Sequence, residues 1–156
     1  MGGRALDVAS GLGRGIATAG ERFGRIYAVE ISDVAVARAR QIWGGGGRIR
    51  WILADATRLC WPDDFLGLVC AFGFTDLPFF SRARAMIAPG GMFLYEGFSA
   101  RQLEVKPGLD PAWTSNQPAM RALFEGWEVL TCEEPAGPPF RLRFAAIRPT
   151  ANEGST

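Results

Sequence analysis

The stretch LDVASGLGRG, residues 6–15, constrains the fold more than any other part of the chain. A short apolar run carries an acid, Asp7, and ends in glycines at 11, 13 and 15. This is the pattern of a buried strand, a tight turn and the opening of a helix. Glycine supplies the positive φ that such a turn needs and lets the backbone approach a ligand closely.

The rest of the chain repeats strand and helix in alternation. Ile16, Ala19, Gly20 and Phe23 recur at helical spacing, and Gly24 stops that helix. RIYAVE (25–30) is a second strand. Ser32 caps a helix that places Ala35, Ala39, Ile42 and Trp43 on one face, and GGGG (44–47) ends it as a flexible loop. RIRWILA (48–54) runs to Asp55, and LGLVCAF (66–72) is the fourth strand. Phe79, Phe80, Ala83, Met86 and Ile87 mark the next helix, after which PGG (89–91) turns the chain into MFLYE (92–96). Alternation of this kind predicts βαβ units and a parallel sheet.

The end of the chain has a different character. EVKPGLDPAW (104–113) reads as a loop, and Ser115 or Asn116 caps a helix bearing Met120, Leu123 and Phe124. WEVLTCEE (127–134) and FRLRFAAI (140–147) have no room for a helix between them, so they form an antiparallel hairpin. The expectation is one α/β domain over residues 1–148 with sheet order 3-2-1-4-5-7-6, followed by a disordered tail at 149–156.

Composition narrows the chemistry. A chain of 156 residues supports one substantial core, and a net charge of +1 without any basic run gives no pull toward nucleic acid or membrane. Cys60, Cys70 and Cys132 lack ligand spacing and read as small core residues in a reducing cytosol. Histidine is absent, which excludes the Ser-His triad and most zinc sites, and no metal is expected. No apolar run approaches the ~18 residues of a membrane span, and no leader is expected ahead of the first strand. A cytoplasmic protein is expected.

The glycine turn distinguishes among cofactors. A dinucleotide fingerprint is G-x-G-x-x-G, but counting from Gly11 and Gly13 its third position falls on Ile16. Gly15 comes one residue early, Asp7 stands inside the strand, and no Tyr-x-x-x-Lys pair follows. An NAD(P)-linked oxidoreductase is therefore the lesser reading.

LDVASGLGRG resembles the first motif of class I S-adenosylmethionine-dependent methyltransferases, with Asp7 as its acid, Gly11 and Gly13 as its glycines, and Ala9 where glycine is commoner. The resemblance covers residues 4–148 and implies the Rossmann-like methyltransferase fold. It implies S-adenosyl-L-methionine as cofactor, with the turn against its methionine part and Asp7 orienting that part directly or through water. Glu30, with Ile31 beside it, would take the ribose hydroxyls. Asp55 would accept from the adenine amino group, with the Ala56 N–H facing the ring. The stretches PGGMFLYEGFSARQLE and MRALFEGWEVLTCEEP look like small bacterial methyltransferases of the tellurite- and thiopurine-detoxifying type.

The acceptor belongs beyond the carboxyl ends of strands four and five, where Phe72, Phe74, Asp76, Glu96 and Phe98 are candidates. Phe72 or its neighbours would shape an apolar pocket or face the sulfonium. Asp76 or Glu96 would serve as base for an oxygen or nitrogen nucleophile. A small-molecule acceptor is expected, and a soft sulfur, selenium or tellurium nucleophile would need no base. A cofactor-binding but inactive partner subunit is the reading from another class. The first strand begins near residue 4, so helices that cover the site in related domains are not expected ahead of it. A second copy of the chain, as a homodimer, or the loop 101–114 would then cover the site.

Overall fold

The computed structural model describes residues 3–44 and 47–150. The proposed tail from 151 onward, Met1 and Gly2 of the domain, and Gly45 and Gly46 of the glycine tract lie outside the described residues. Eight strands form one sheet: β1 (Gly3–Val8), β2 (Phe23–Glu30), β3 (Ile49–Leu53), β4 (Leu66–Phe72), β5 (Ile87–Ser99), β6 (Thr114–Ser115), β7 (Glu128–Glu133) and β8 (Arg141–Ile147). Among the described residues five α-helices accompany them: α1 (Arg14–Ala19), α2 (Asp33–Trp43), α3 (Leu77–Met86), α4 (Gln102–Val105) and α5 (Gln117–Leu123).

The main path through the sheet is β3-β2-β1-β4-β5-β8-β7. Strands β1 to β5 run parallel, while β8 is antiparallel to both β5 and β7. This is the expected order, with one addition. The two-residue strand β6 pairs parallel to the last residues of β5, Phe98 with Thr114 and Ser99 with Ser115. Strand β4 is last paired at Phe72 against Glu96, so the end of β5 has a free edge that β6 takes up.

Two cores flank the sheet. On one side Ile16 and Ala19 of α1 pack with Ala5, Ile26, Ala28, Leu68 and Cys70, joined by Trp43 of α2. On the other, Phe79, Phe80, Ala83 and Met86 of α3 pack with Phe93, Tyr95, Met120, Phe124 and Phe144. Alternation along β5 explains the division. Phe93 and Tyr95 are fully buried against α3 and α5, whereas Met92 and Leu94 join the α1 side.

Three details differ from the expectation. The first helix ends at Ala19, because Gly20 adopts φ 54° and a 3-10 turn, Gly20–Arg22, leads straight into β2. The buried face of α2 carries Val36 and Ala39, while Ile42 is exposed; both faces satisfy helical spacing, and the position of the sheet decides between them. The PGG tract lies inside β5, at a register shift opposite Leu66–Leu68, and does not precede it.

Candidate active site

The glycine turn is fixed from below and from the side. From below comes Asp7, which is buried and accepts a hydrogen bond from the Ile16 N–H at 3.1 Å. Helix α1 starts directly above it. A Cβ on Gly15 would lie within 2.8 Å of all three atoms of the Asp7 carboxyl group, so the acid by itself requires glycine there. Burial pushes the Asp7 carboxyl up to about 7, against the lowering effects of the Ile16 and Gly15 N–H groups and of Arg14; Glu30 adds to the rise. Its strand neighbour Cys70 is buried as well, and burial with the nearby Asp7 charge pushes that thiol far above its usual range.

From the side comes Trp43, at the end of α2. Its indole N–H donates to the Leu12 carbonyl at 2.8 Å, and a Cβ on Gly13 would stand 2.5 Å from that nitrogen. Gly11 and Gly13 both adopt positive φ, 51° and 91°. Ala9 does so too, at 48°, which is the conformation that the commoner glycine would take without strain. The Ser10 hydroxyl is buried within the turn and has no hydrogen-bond partner among the described residues.

Glu30 closes the turn from the end of β2. Its Oε2 accepts from the Gly11 N–H, and its Oε1 accepts from the Ile31 and Ser32 N–H groups, each at 2.9 Å. One carboxylate therefore ties the first glycine turn to the start of α2. Asp55 sits at the end of β3, where Oδ1 accepts both the Thr57 N–H (2.9 Å) and the Thr57 hydroxyl (2.7 Å). Those two bonds, with a smaller contribution from Arg58, hold the Asp55 carboxyl below its ordinary value despite opposing desolvation.

Ala9, Glu30, Ile31, Asp55 and Ala56 line one cavity of about 170 Å³, together with Val29, Ala54 and Phe74. The loops after three successive strands thus bring five of the nine expected cofactor residues to one hollow. Asp7, Gly11 and Gly13 build the adjoining turn. Phe72 is elsewhere: it packs into the core on the α1 side, with the Arg14 guanidinium 5.0 Å from its ring centre.

Phe74 also lines a second cavity, of about 470 Å³, with Thr57, Gly73, Thr75, Asp76, Phe98, Ala112 and Trp113. Asp76 is the N-cap of α3; its Oδ1 accepts from the Phe79 N–H at 2.6 Å. Thr75 is held by a 2.9 Å hydrogen bond to the Tyr95 hydroxyl, which passes where a Cβ on Gly97 would lie. Ala112 and Trp113 reach the cavity on a 3-10 turn, Pro111–Trp113, capped by Asp110 and carried into place by the β6–β5 pairing. Of the two expected covers, the segment 101–114 thus contributes to the cavity wall. Neither Ala112 nor Trp113 stands out in the sequence, because their placement depends on a strand of two residues.

Glu96 lines neither cavity. It pairs with Arg14 at 3.0 Å, Arg143 at 3.0 Å and Arg141 at 3.8 Å. Desolvation raises its carboxyl, but the Arg143 hydrogen bond and the three guanidinium charges outweigh that and hold it below the ordinary range. A carboxylate so held is a poor proton acceptor and a good brace between α1, β5 and β8.

The hollow at the carboxyl ends of β1, β2 and β3 suits a nucleoside sulfonium cofactor. It has the Glu30 and Asp55 carboxylates on its rim, a short apolar wall from Val29, Ala54 and Phe74, and beside it a turn whose glycines, Gly11 and Gly13, carry no side chain. A sequence profile of the methyltransferase-domain family matches residues 5–91. No curated protein matches by sequence. Among solved structures, the chain is similar to an S-adenosylmethionine-dependent methyltransferase from Mesorhizobium loti, at 17% identity and TM-score 0.74 over 94% of this chain and 91% of that one. It is also similar to the N-methyltransferase NodS from Bradyrhizobium japonicum in complex with S-adenosyl-L-homocysteine, at 16% identity and TM-score 0.74 over 95% and 79% of the two chains. A third similar structure is a complex between the Haloferax volcanii Trm112 methyltransferase activator and a methyltransferase, at 16% identity and TM-score 0.74 over 95% and 83%. At these identities the structural neighbours establish the fold, and the profile match over more than half of the chain establishes the family. The chain belongs to the methyltransferase-domain family and is an S-adenosyl-L-methionine-dependent methyltransferase.

Proposed function

We propose that the protein methylates a small molecule held in the larger cavity, with the nucleoside of S-adenosyl-L-methionine in the smaller one. The observation that carries this reading is the pair of adjoining hollows at the carboxyl edge of the parallel strands, which share Phe74. The cofactor supplies an activated methyl group, so the chain's own task is to bind, orient and exclude water.

Glu30 and Ile31 would hold the ribose, and Asp55 with Ala56 the adenine. Three backbone N–H groups already occupy Glu30, which leaves about one lone-pair site, on Oε2, for a ribose hydroxyl. Asp7 would act beneath the turn, since its carboxylate is turned toward Ile16 and Gly15. Asp76 is the carboxylate within reach of an acceptor, and Glu96 would position Arg14 and the turn. A soft nucleophile that needs no base suits a chain without histidine, in keeping with the resemblance to tellurite- and thiopurine-type enzymes.

Calorimetry with S-adenosyl-L-homocysteine, followed by methyl-release assays on thiols, amines and selenite, tests this reading. Cofactor binding with transfer to one of these classes supports it. Cofactor binding with transfer to none of these small molecules, but to a protein or nucleic-acid acceptor, would contradict it.

A further inference from the structure

We propose that the acceptor carries a cationic nitrogen, which the larger cavity holds between the Asp76 carboxylate and the rings of Phe74, Phe98 and Trp113. This rests on the reading that the larger cavity takes the acceptor. Four observations carry it.

Among the described residues, Asp76 is the one charged residue in the lining, which holds no arginine or lysine. Its Oδ1 is engaged with the Phe79 N–H, which leaves Oδ2 to accept from a ligand.

Aromatic rings supply much of the remaining wall. A ring face is electron-rich and attracts a cation, while it repels an anion. Phe74 is anchored edge-on against Phe79 and Phe80, at 5.9 and 6.2 Å between ring centres, so its ring is held in place before any ligand arrives. Phe98 already has the Arg141 guanidinium 5.1 Å from its ring centre, so Phe74 and Trp113 carry most of the contact to a ligand cation and Phe98 completes the apolar wall. Trp113 is 60% exposed, a large area of indole left for a ligand to cover.

Side-chain donors for an anion are few in the lining. Thr57 gives its hydroxyl proton to Asp55, Thr75 shares its hydroxyl with Tyr95, and the Gly73 N–H is bonded to the Glu96 carbonyl, which leaves the neutral Trp113 indole N–H as the side-chain donor among the described residues. An inorganic oxyanion, selenite and tellurite included, or a carboxylate would meet a fixed negative charge with few donors to offset it, so among soft nucleophiles the inference selects one carried on an amine-bearing molecule.

Finally, the cavity is large enough for more than an ammonium group. At about 470 Å³ it accommodates an aromatic or aliphatic body attached to the charged nitrogen. The nitrogen is the handle by which the acceptor is held, whichever atom receives the methyl group.

The test uses one aromatic body in three charge states at pH 7: benzylammonium, benzyl alcohol and benzoate, each titrated calorimetrically into the full chain saturated with S-adenosyl-L-homocysteine. Benzylammonium is expected to bind about tenfold more tightly than benzyl alcohol, and benzoate more weakly than either. The preference is held near tenfold because the N-terminus of α3 offsets part of the Asp76 charge. Asp76→Asn keeps an N-cap of equal quality, so its melting temperature and S-adenosyl-L-homocysteine affinity should stay at wild-type values while the tenfold preference disappears. Trp113→Ala should weaken all three ligands and leave their order unchanged. Benzoate binding as tightly as benzylammonium, or a preference that survives Asp76→Asn, overturns the proposal. Failure of S-adenosyl-L-homocysteine to bind the wild-type chain would instead overturn the reading of the smaller cavity, and the two failures are separately visible.

Discussion

The α-carbon of Gly15 lies so close to the Asp7 carboxylate that no side chain fits between them. The glycine nearest α1 is therefore part of a buried acid–helix contact, and the two residues should behave as a unit. Gly15→Ala is expected to cost about 2–4 kcal/mol, from overpacking and from loss of the Asp7–Ile16 hydrogen bond. In an Asp7→Ala background the same change should cost at least about 1.5 kcal/mol less. Urea unfolding of the four proteins in the cycle measures this, and additivity of the two substitutions would contradict it.

The same acid makes stability depend on pH in an unusual direction. With an ordinary value of 3.8 when unfolded and about 7 when folded, Asp7 binds a proton in the folded chain that the unfolded chain has released. Its stabilising share is complete below 3.8 and is lost as pH rises through about 7. The sequence has no histidine, so little else titrates between pH 5 and 7. Unfolding free energy should fall across that window by up to about 1.4 kcal/mol per pH unit. Asp7→Asn should remove the slope, and a wild-type profile that is flat or rising would contradict the burial of this carboxyl.

Glu96 is expected to matter for architecture and to leave proton transfer untouched. Glu96→Gln leaves Arg14, Arg141 and Arg143 without their shared carboxylate, at a cost of about 1–2 kcal/mol given the exposure of the guanidinium groups. The pH profile of kcat for any acceptor should keep its shape in this variant. A shifted acid limb would make Glu96 a base after all.

Much of this was legible in the sequence because it is local. The strands, the acids at 30 and 55 that follow them, and the Ser32 and Asn116 caps depend on neighbouring residues, and they stand where spacing puts them. What depends on distant partners was not legible. Trp43 reads as one more apolar residue of α2, and nothing in its spacing reveals the bond to Leu12. Glu96 reads as a free acid until the β5–β8 register sets Arg143 opposite it. Trp113 reads as loop until a two-residue strand beside Phe98 fixes it at the cavity.

Binding of S-adenosyl-L-homocysteine to the wild-type chain and to Glu30→Gln, measured by calorimetry beside NADH, tests the central claim most directly. The amide replaces a carboxylate that three backbone N–H groups and a ribose would share. One site is expected in the wild type, with no NADH binding and a loss of about 1.5–3 kcal/mol in the folded variant. A folded wild-type chain that ignores S-adenosyl-L-homocysteine, or a Glu30→Gln protein that binds it with unchanged affinity, would contradict the account.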